Sequence, residues 1–251
     1  MTRSNGEITV IIPTHRREPV GLALFLVQTK HVWILNNGMV PISNKFLDKI
    51  SNISVEWKGH GLTRQEILSK VQTEFVFFSV DDATPKAGML DSLLQTISTQ
   101  DCDAVIPRQV PYPDASPITV DALEAWTPKA EAPYPVPQAD HVGTLYRMET
   151  LRKYPIPDVS IAEDAWWSKG RKILCDPSAE IIHSHPRRTR SLFARELAIH
   201  QELRKMGRQK PIGSIDSEVL GIIGNVKSYG IREGFRTGSE ILARRIAWLG
   251  I

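Results

Sequence analysis

Phe75-Val76-Phe77-Phe78-Ser79-Val80-Asp81-Asp82-Ala83-Thr84-Pro85 is the stretch on which the fold turns. Mostly apolar, β-favouring residues run straight into two adjacent carboxylates, and a proline follows. An apolar run of this length, bounded by a turn signal, predicts a buried strand. Two acids at the end of a buried strand are costly to desolvate unless something positive meets them. A divalent cation answers that need, because hard carboxylate oxygens suit Mg²⁺ or Mn²⁺. The plainer alternative is a solvated turn in which Asp81 and Asp82 cap the next helix, with Pro85 in its first turn.

The flanking segments repeat a strand–helix rhythm. Upstream, Ile8-Thr9-Val10-Ile11-Ile12 is a β-branched run ended by Pro13 and predicts a buried parallel first strand. Residues 14–17 form a loop, 19–30 a helix and 32–35 a second strand, closed by the turn signal Asn36-Asn37-Gly38. Residues 53–57 alternate like a third strand, and 63–71 predict a helix with Thr63 and Glu66 placed for a capping box. Strands alternating with helices argue for an α/β fold with a mostly parallel, doubly wound sheet. Ligands of such sheets sit at the carboxyl ends of the strands. Thr14, Asn36, Arg64, Asp81 and Asp82 all fall at or near such ends.

Downstream, 88–98 predicts a helix and 104–106 a strand stopped by Pro107. Eight of the seventeen prolines lie between Pro107 and Pro137, which excludes regular structure throughout that span. It reads either as a rigid surface excursion with one short helix near 120–126, or as a lid or acceptor-binding loop. Order returns with a strand at 141–146, a helix at 148–154, the acids Glu163-Asp164, and strands at 172–175 and 179–185. Strand alternation would put His183 and His185 on one face, where two imidazoles can share a metal or an anion. Beyond Pro186 the chain reads as helical. The final stretch sets Arg232, Arg236, Arg244 and Arg245 beside Ile241, Leu242, Ile246, Trp248 and Leu249. A basic amphipathic helix with tryptophan can lie at a membrane surface, and the alternatives are packing on the α/β domain or a homodimer contact.

Composition narrows the class. The 251 residues suffice for one large domain with a sizeable core, and a net charge of +3 does not mark a whole-surface nucleic-acid binder. Cys102 and Cys175 have no metal-type spacing and form no disulfide framework. No leader pattern or bilayer-length apolar run is present, so the default expectation is a cytoplasmic protein, with attachment to the inner face of a membrane left open.

The segments then fall in a familiar order. Ile8-Thr9-Val10-Ile11-Ile12-Pro13-Thr14-His15-Arg16, Leu35-Asn36-Asn37-Gly38, Gly61-Leu62-Thr63-Arg64, Val80-Asp81-Asp82-Ala83-Thr84-Pro85, Glu163-Asp164 and His183-Ser184-His185 together resemble the family 2 inverting glycosyltransferases, in a form similar to bacterial rhamnosyltransferases. The resemblance covers about residues 8–186. It implies a GT-A nucleotide-diphospho-sugar transferase fold at 1–190, with the proline-rich loop at 107–140, and a C-terminal helical extension at 191–251.

The resemblance also implies roles. Pro13, Thr14 and Arg16 would line the nucleotide pocket, with Asn36, Arg64, Asp81 and Arg187 as further donor contacts. Asp82 would bind Mn²⁺ or Mg²⁺, helped by His183 or His185. Asp164 would be the catalytic base, supported by Glu163. The donor would be a nucleotide-sugar of UDP or dTDP type and the acceptor a glycan or a lipid-linked saccharide. Two positions depart from the family: Val80 stands where an acid is common, and Asn36 stands where an Asp often helps read the base. The processive-synthase signature Gln-x-x-Arg-Trp is absent after Asp164, which favours single addition. A catalytically silent sugar-nucleotide or glycan-binding module on the same fold is the main alternative. A nucleotidyltransferase is disfavoured, because Pro13-Thr14-His15-Arg16-Arg17 lacks the glycines of a phosphate loop.

Overall fold

The computed structural model describes residues 8–15, 17–115, 117–159, 161–184, 189–207 and 214–249. Among these, contacts divide the chain into two compact units, Met1–Pro113 with Ala122–Ser184, and Asp114–Asp121 with His185–Ile251. The first unit is built on β1 (Ile8–Thr14), α1 (Leu22–Gln28), β2 (His31–Asn36), α2 (Asn44–Leu47), β3 (Ser51–Ser54), α3 (His60–Leu68), β4 (Phe75–Ser79), β5 (Thr84–Pro85), α4 (Met89–Thr99) and β6 (Ala104–Val110). After α5 (Pro117–Trp126), which straddles the division, come β7 (Tyr134–Val136), β8 (Gly143–Arg147), α6 (Met148–Lys153), α7 (Glu163–Trp167) and β9 (Ile173–Ile182). The second unit holds α8 (Thr189–Lys205), α9 (Ile215–Tyr229) and α10 (Ile231–Leu249).

The strands join one sheet in the order β3-β2-β1-β4-β8-β6-β9-β5, with β7 paired to β9. β3, β2, β1 and β4 run parallel, as do β6 and β9. β8 is inserted antiparallel between β4 and β6. This is the mostly parallel α/β architecture that the alternating segments predict.

The period-two alternation of β4 explains its place at the centre. Phe75 and Phe77 pack on one face with Ile8, Val10, Leu22, Phe25 and Leu93, against α1 and α4. Val76 and Phe78 face the other side, with Ile11, Ile67, Leu68 and Tyr146. All four are fully buried, each stabilising by about 2–3 kcal/mol. A strand buried on both faces cannot alternate with polar residues, which is why the segment reads as an unbroken apolar run.

Several local expectations are corrected. Pro107 does not stop its strand: β6 continues to Val110, and the register against β9 shifts between Pro107 and Arg108. A bulge there accommodates the residue that cannot donate to the ladder. The segments 172–175 and 179–185 are one strand, β9, which ends at Ile182. The pairing of β3 begins at Ser51 rather than Ile53. Thr63 and Glu66 make no capping box, because α3 starts at His60 after Gly59, at φ 95°. Thr63 instead lies within the helix, accepting from the Lys58 N–H at 3.1 Å, and Glu66 pairs with Lys58 at 2.8 Å. Pro85 is not in a helical first turn: Thr84–Pro85 pairs antiparallel with β9, and α4 begins four residues later, at Met89.

Candidate active site

The carboxyl ends of β1 and β4, adjacent parallel strands, bring Thr14 and the Asp81–Asp82 turn together. Thr14 is buried, and its hydroxyl lies 3.1 Å from Asp81 Oδ2 and also meets the Arg17 carbonyl. The turn is held from behind by the segment leading into α1, since the Val20 N–H donates to the Asp81 carbonyl at 3.0 Å. Gly21 permits that approach: a Cβ there would sit 2.4 Å from the Ala83 carbonyl oxygen. On the far side the Tyr112 hydroxyl donates to the Asp82 carbonyl at 2.8 Å. The peptide groups of the turn are thus engaged by the scaffold, while its two carboxylates point elsewhere.

Those carboxylates meet one imidazole and one guanidinium. His183 Nε2 lies 3.4 Å from Asp82 Oδ1, although 101 positions separate them in the chain. The approach is fixed by backbone, because the His183 N–H donates to the Val110 carbonyl at 2.9 Å just past the end of β9. Arg17 spans the pair, with Nε 3.7 Å from Asp81 and a terminal nitrogen 3.8 Å from Asp82. Burial raises the Asp81 carboxyl above its usual range; the Thr14 hydroxyl opposes the rise and the neighbouring Asp82 charge adds to it.

A second cluster forms around α7. Glu163 is buried and accepts from Arg64 at 2.9 Å, and its Oε1 lies 2.7 Å from His141 Nδ1. His141 Nε2 in turn lies 3.0 Å from the Tyr146 hydroxyl. Burial opposes ionisation of Glu163, but the His141 hydrogen bond and the Arg64 charge win and hold its carboxyl down to about 2. Asp164 is half-buried. Burial, with the charges of Glu163 and Asp140 beside it, pushes it up to about 6, against the opposing pull of His141. The His141 N–H donates to Asp164 Oδ2 at 3.4 Å and the Ala165 N–H to Oδ1 at 2.7 Å.

The backbone is shaped for this cluster. Ala162, the residue before Glu163, is left-handed at φ 60° and ψ 28°, a conformation that costs a non-glycine residue about 1 kcal/mol or more. A Cβ on Gly61 would lie 2.2 Å from the Pro157 carbonyl oxygen and 3.2 Å from Glu163 Cβ, so α3 and α7 approach only because position 61 is glycine. Both clusters belong to one edge of the sheet. Ser79, the last residue of β4, pairs with Gly143, the first of antiparallel β8, so the turn at 81–82 and the segment 140–142 leave the sheet at the same end. Ser79 also donates to the Val142 carbonyl at 2.9 Å.

Of the residues singled out in the sequence, Pro13, Thr14, Asp81, Asp82 and His183 lie at that edge, and Glu163 and Asp164 form the second cluster. Asn36 and Arg64 are turned to internal partners. Asn36 is buried, donating to the Val40 carbonyl and accepting from the Val40 N–H, both at 2.8 Å, so its amide closes the turn after β2. Arg64 is 2% exposed and serves Glu163. Arg16, His185 and Arg187 lie outside the described residues. Sequence reading missed Arg17, His141, Asp140 and Tyr146. Arg17 directly follows a motif residue, whereas His141 falls in the strand expected over 141–146, which starts only at Gly143.

The donor set at Asp82 suits a hard divalent ion. Neighbouring ligands around an octahedral Mg²⁺ or Mn²⁺ stand about 3 Å apart, close to the 3.4 Å between His183 Nε2 and Asp82 Oδ1. Among the described residues no group of three or more His, Cys, Asp or Glu side chains converges on one point, so most of such an ion's shell would come from ligand oxygens and water.

No family model and no curated protein sequence matches this chain. Solved structures do. The mannosyltransferase PcManGT from Pyrobaculum calidifontis, in complex with GDP-Man and Mn²⁺, aligns over 97% of this chain and 87% of its own, with TM-score 0.67 and 14% identity. S. aureus TarS 1–349 aligns over 97% and 92%, with TM-score 0.51 and 12% identity. GalNAc-T7 with UDP, GalNAc and Mn²⁺ aligns over 97% and 56%, with TM-score 0.54 and 12% identity. At these identities the likeness establishes the GT-A fold.

Proposed function

We propose that this chain is an inverting, single-addition glycosyltransferase that moves a hexosyl or rhamnosyl group from a nucleotide-diphosphate donor to a hydroxyl of a glycan or lipid-linked acceptor. Residues 1–190 form the transferase domain in this reading and 191–251 its helical extension. The observation that carries it is the pairing of Asp82 with His183 at the same end of the sheet as Asp164, on a fold whose solved examples include a complex with GDP-Man and Mn²⁺.

Each residue has a distinct task. Asp82 and His183 hold Mn²⁺ or Mg²⁺, which when bound supplies Lewis-acid neutralisation of the departing diphosphate. Thr14 and Pro13 wall the nucleotide side and fix the Asp81 carboxylate. Arg17, already beside both acids, is placed to share its charge with phosphate oxygens. Asp164 accepts the proton of the attacking hydroxyl; its raised affinity for protons suits a base working near neutrality. Glu163 stays ionised and does not compete, because Arg64 and His141 bind its charge. A single base facing the departing group gives inversion at the anomeric carbon.

The test is binding of UDP, dTDP, GDP and CDP to the full chain, with Mn²⁺ and with a chelator, alongside transfer by the wild type and Asp164→Asn. Metal-dependent binding of one nucleotide, retained in Asp164→Asn while turnover is lost, is the expected result. Failure to bind any nucleotide under either condition would sink the reading. Binding without turnover in the wild type, with hydrolysis and transfer both absent across a panel of nucleotide-sugars and acceptors, would favour the silent module.

A further inference from the structure

On α10 four large apolar side chains stand in the open: Ile231 at 70%, Phe235 at 73%, Leu242 at 52% and Leu249 at 61% exposed. Successive helical residues turn by about 100°, so these positions fall within about 40° of one another along a line about 27 Å long. Arg236, Ala243 and Ala247 are buried on the opposite side of the same helix. Trp248 is also exposed near the line's end. Scattered exposed apolar residues need no explanation, but an aligned row of this length does.

Charge indicates what covers it. The second unit, residues 114–121 and 185–251, holds thirteen Lys and Arg against eight Asp and Glu, whereas the whole chain is only +3. The helix itself is not a membrane span, for no described helix is long and apolar enough to cross one. A second copy of the chain fits the row poorly. A helix pairing along it would also need positions 238 and 245, which complete the alternating three- and four-residue seam of a coiled coil. Those positions are Gly238, which fills nothing, and Arg245, whose Nε is 2.6 Å from Glu218 Oε2. A missing side chain and an arginine held by Glu218 leave a seam that a second helix cannot fill, whereas a fluid layer of lipid headgroups and chains conforms to separate apolar side chains and needs no such register.

We propose that α10 lies flat on an anionic lipid surface, inserting Ile231, Phe235, Leu242 and Leu249 between headgroups while the basic second unit supplies the electrostatic attraction. The inference rests on this unit alone and not on the transfer chemistry, so the two readings fail separately.

The test is flotation of the full chain with vesicles of phosphatidylcholine alone and with about one-third phosphatidylglycerol, beside light scattering of the free protein. Expected are binding to the anionic vesicles, weakening with salt, and a loss of about tenfold or more in Phe235→Asp with Leu242→Asp. The control pair Val27→Asp with Met39→Asp, both exposed in the first unit, adds the same charge and should bind as the wild type. Circular dichroism checks that each variant folds. No binding to anionic vesicles, or equal losses in both double variants, would overturn the proposal. So would a dimer that Phe235→Asp with Leu242→Asp dissociates, since the row would then be an interface between copies.

Discussion

Glu163 and Asp164 are consecutive on α7 yet live in opposite electrostatic environments. Arg64 and the His141 imidazole hydrogen-bond Glu163, whereas among the described residues the Asp164 carboxylate takes backbone N–H groups at 3.4 and 2.7 Å and lies beside the charges of Glu163 and Asp140, with His141 pulling the other way. One carboxyl is held down to about 2 and the other pushed up to about 6. This division separates a structural anion from a group able to take a proton.

Transfer should therefore rise with pH through an acid limb near 6 and level off above it, because only ionised Asp164 accepts a proton. A pH profile of kcat/KM in the free-enzyme regime measures this. Asp164→Asn should lower kcat by about 10²–10⁴ and remove the limb. A limb unchanged in residual Asp164→Asn activity would assign it to another group.

The same residue predicts a stability gain. An acid whose folded-state pKa is raised favours the protonated folded form, so stability falls as pH climbs from the usual Asp range, near 4, through about 6. Removing the charge should stabilise the protein above pH 6 by about 1–2 kcal/mol, less than the full shift because Asp164 is half-buried. Thermal melts of Asp164→Asn and wild type at pH 3.5 and pH 8 should lie closest at the lower pH and furthest apart at the higher.

Glu163 behaves in the opposite sense. Its depressed pKa contributes stability that is present above about pH 4.5 and is lost as pH falls toward about 2. Glu163→Ala leaves the 2%-exposed Arg64 without its carboxylate and should destabilise by about 3–5 kcal/mol. Arg64→Met with Glu163→Ala should cost less than the two single changes added together, which a double-mutant cycle in denaturant measures.

At the other cluster, Asp82→Ala and His183→Ala should each weaken Mn²⁺-dependent nucleotide binding by about tenfold or more. Arg17→Ala should instead tighten binding of Mn²⁺ alone, since it removes a positive charge 3.7–3.8 Å from both carboxylates. Titration calorimetry with and without nucleotide separates the two effects.

Gly21 links the scaffold to the site. Gly21→Ala must displace either α1 or the Asp81–Ala83 turn, given the 2.4 Å approach to the Ala83 carbonyl. A loss of about 1–3 kcal/mol in stability is expected, together with weaker metal-dependent nucleotide binding. A melt shift without any change in binding would show that α1 alone gives way.

The parts of this architecture that were legible share one property: their signal is local. The run from Phe75 into Asp81-Asp82 announces both a buried strand and the acids at its end, because burial on two faces removes polar alternation. The alternating segments from Ile8 to Asp82 likewise disclose the parallel half of the sheet. What stayed hidden depends on distant partners. Nothing near Pro107 reveals the bulge against β9 that lets β6 continue. His141 is read as a strand residue until the Ser79–Gly143 register places it just outside β8. Asn36 looks like a base reader until Val40 is seen to engage both ends of its amide.

The insertion of β8 between β4 and β6 also governs the order in which the site can assemble. β1 to β4 need only segments that emerge early from the ribosome, whereas β8 must return across more than sixty residues to pair with β4. Closing so long a loop is entropically slow compared with forming neighbouring βαβ contacts. The strands that lead into the Asp81–Asp82 turn can therefore pair before the segments that carry Asp164 and His183 are in place. A nascent chain halted before residue 143 would carry the acidic turn but neither Asp164 nor the His183 that meets Asp82, so the two clusters can be completed only by the C-terminal part of the sheet.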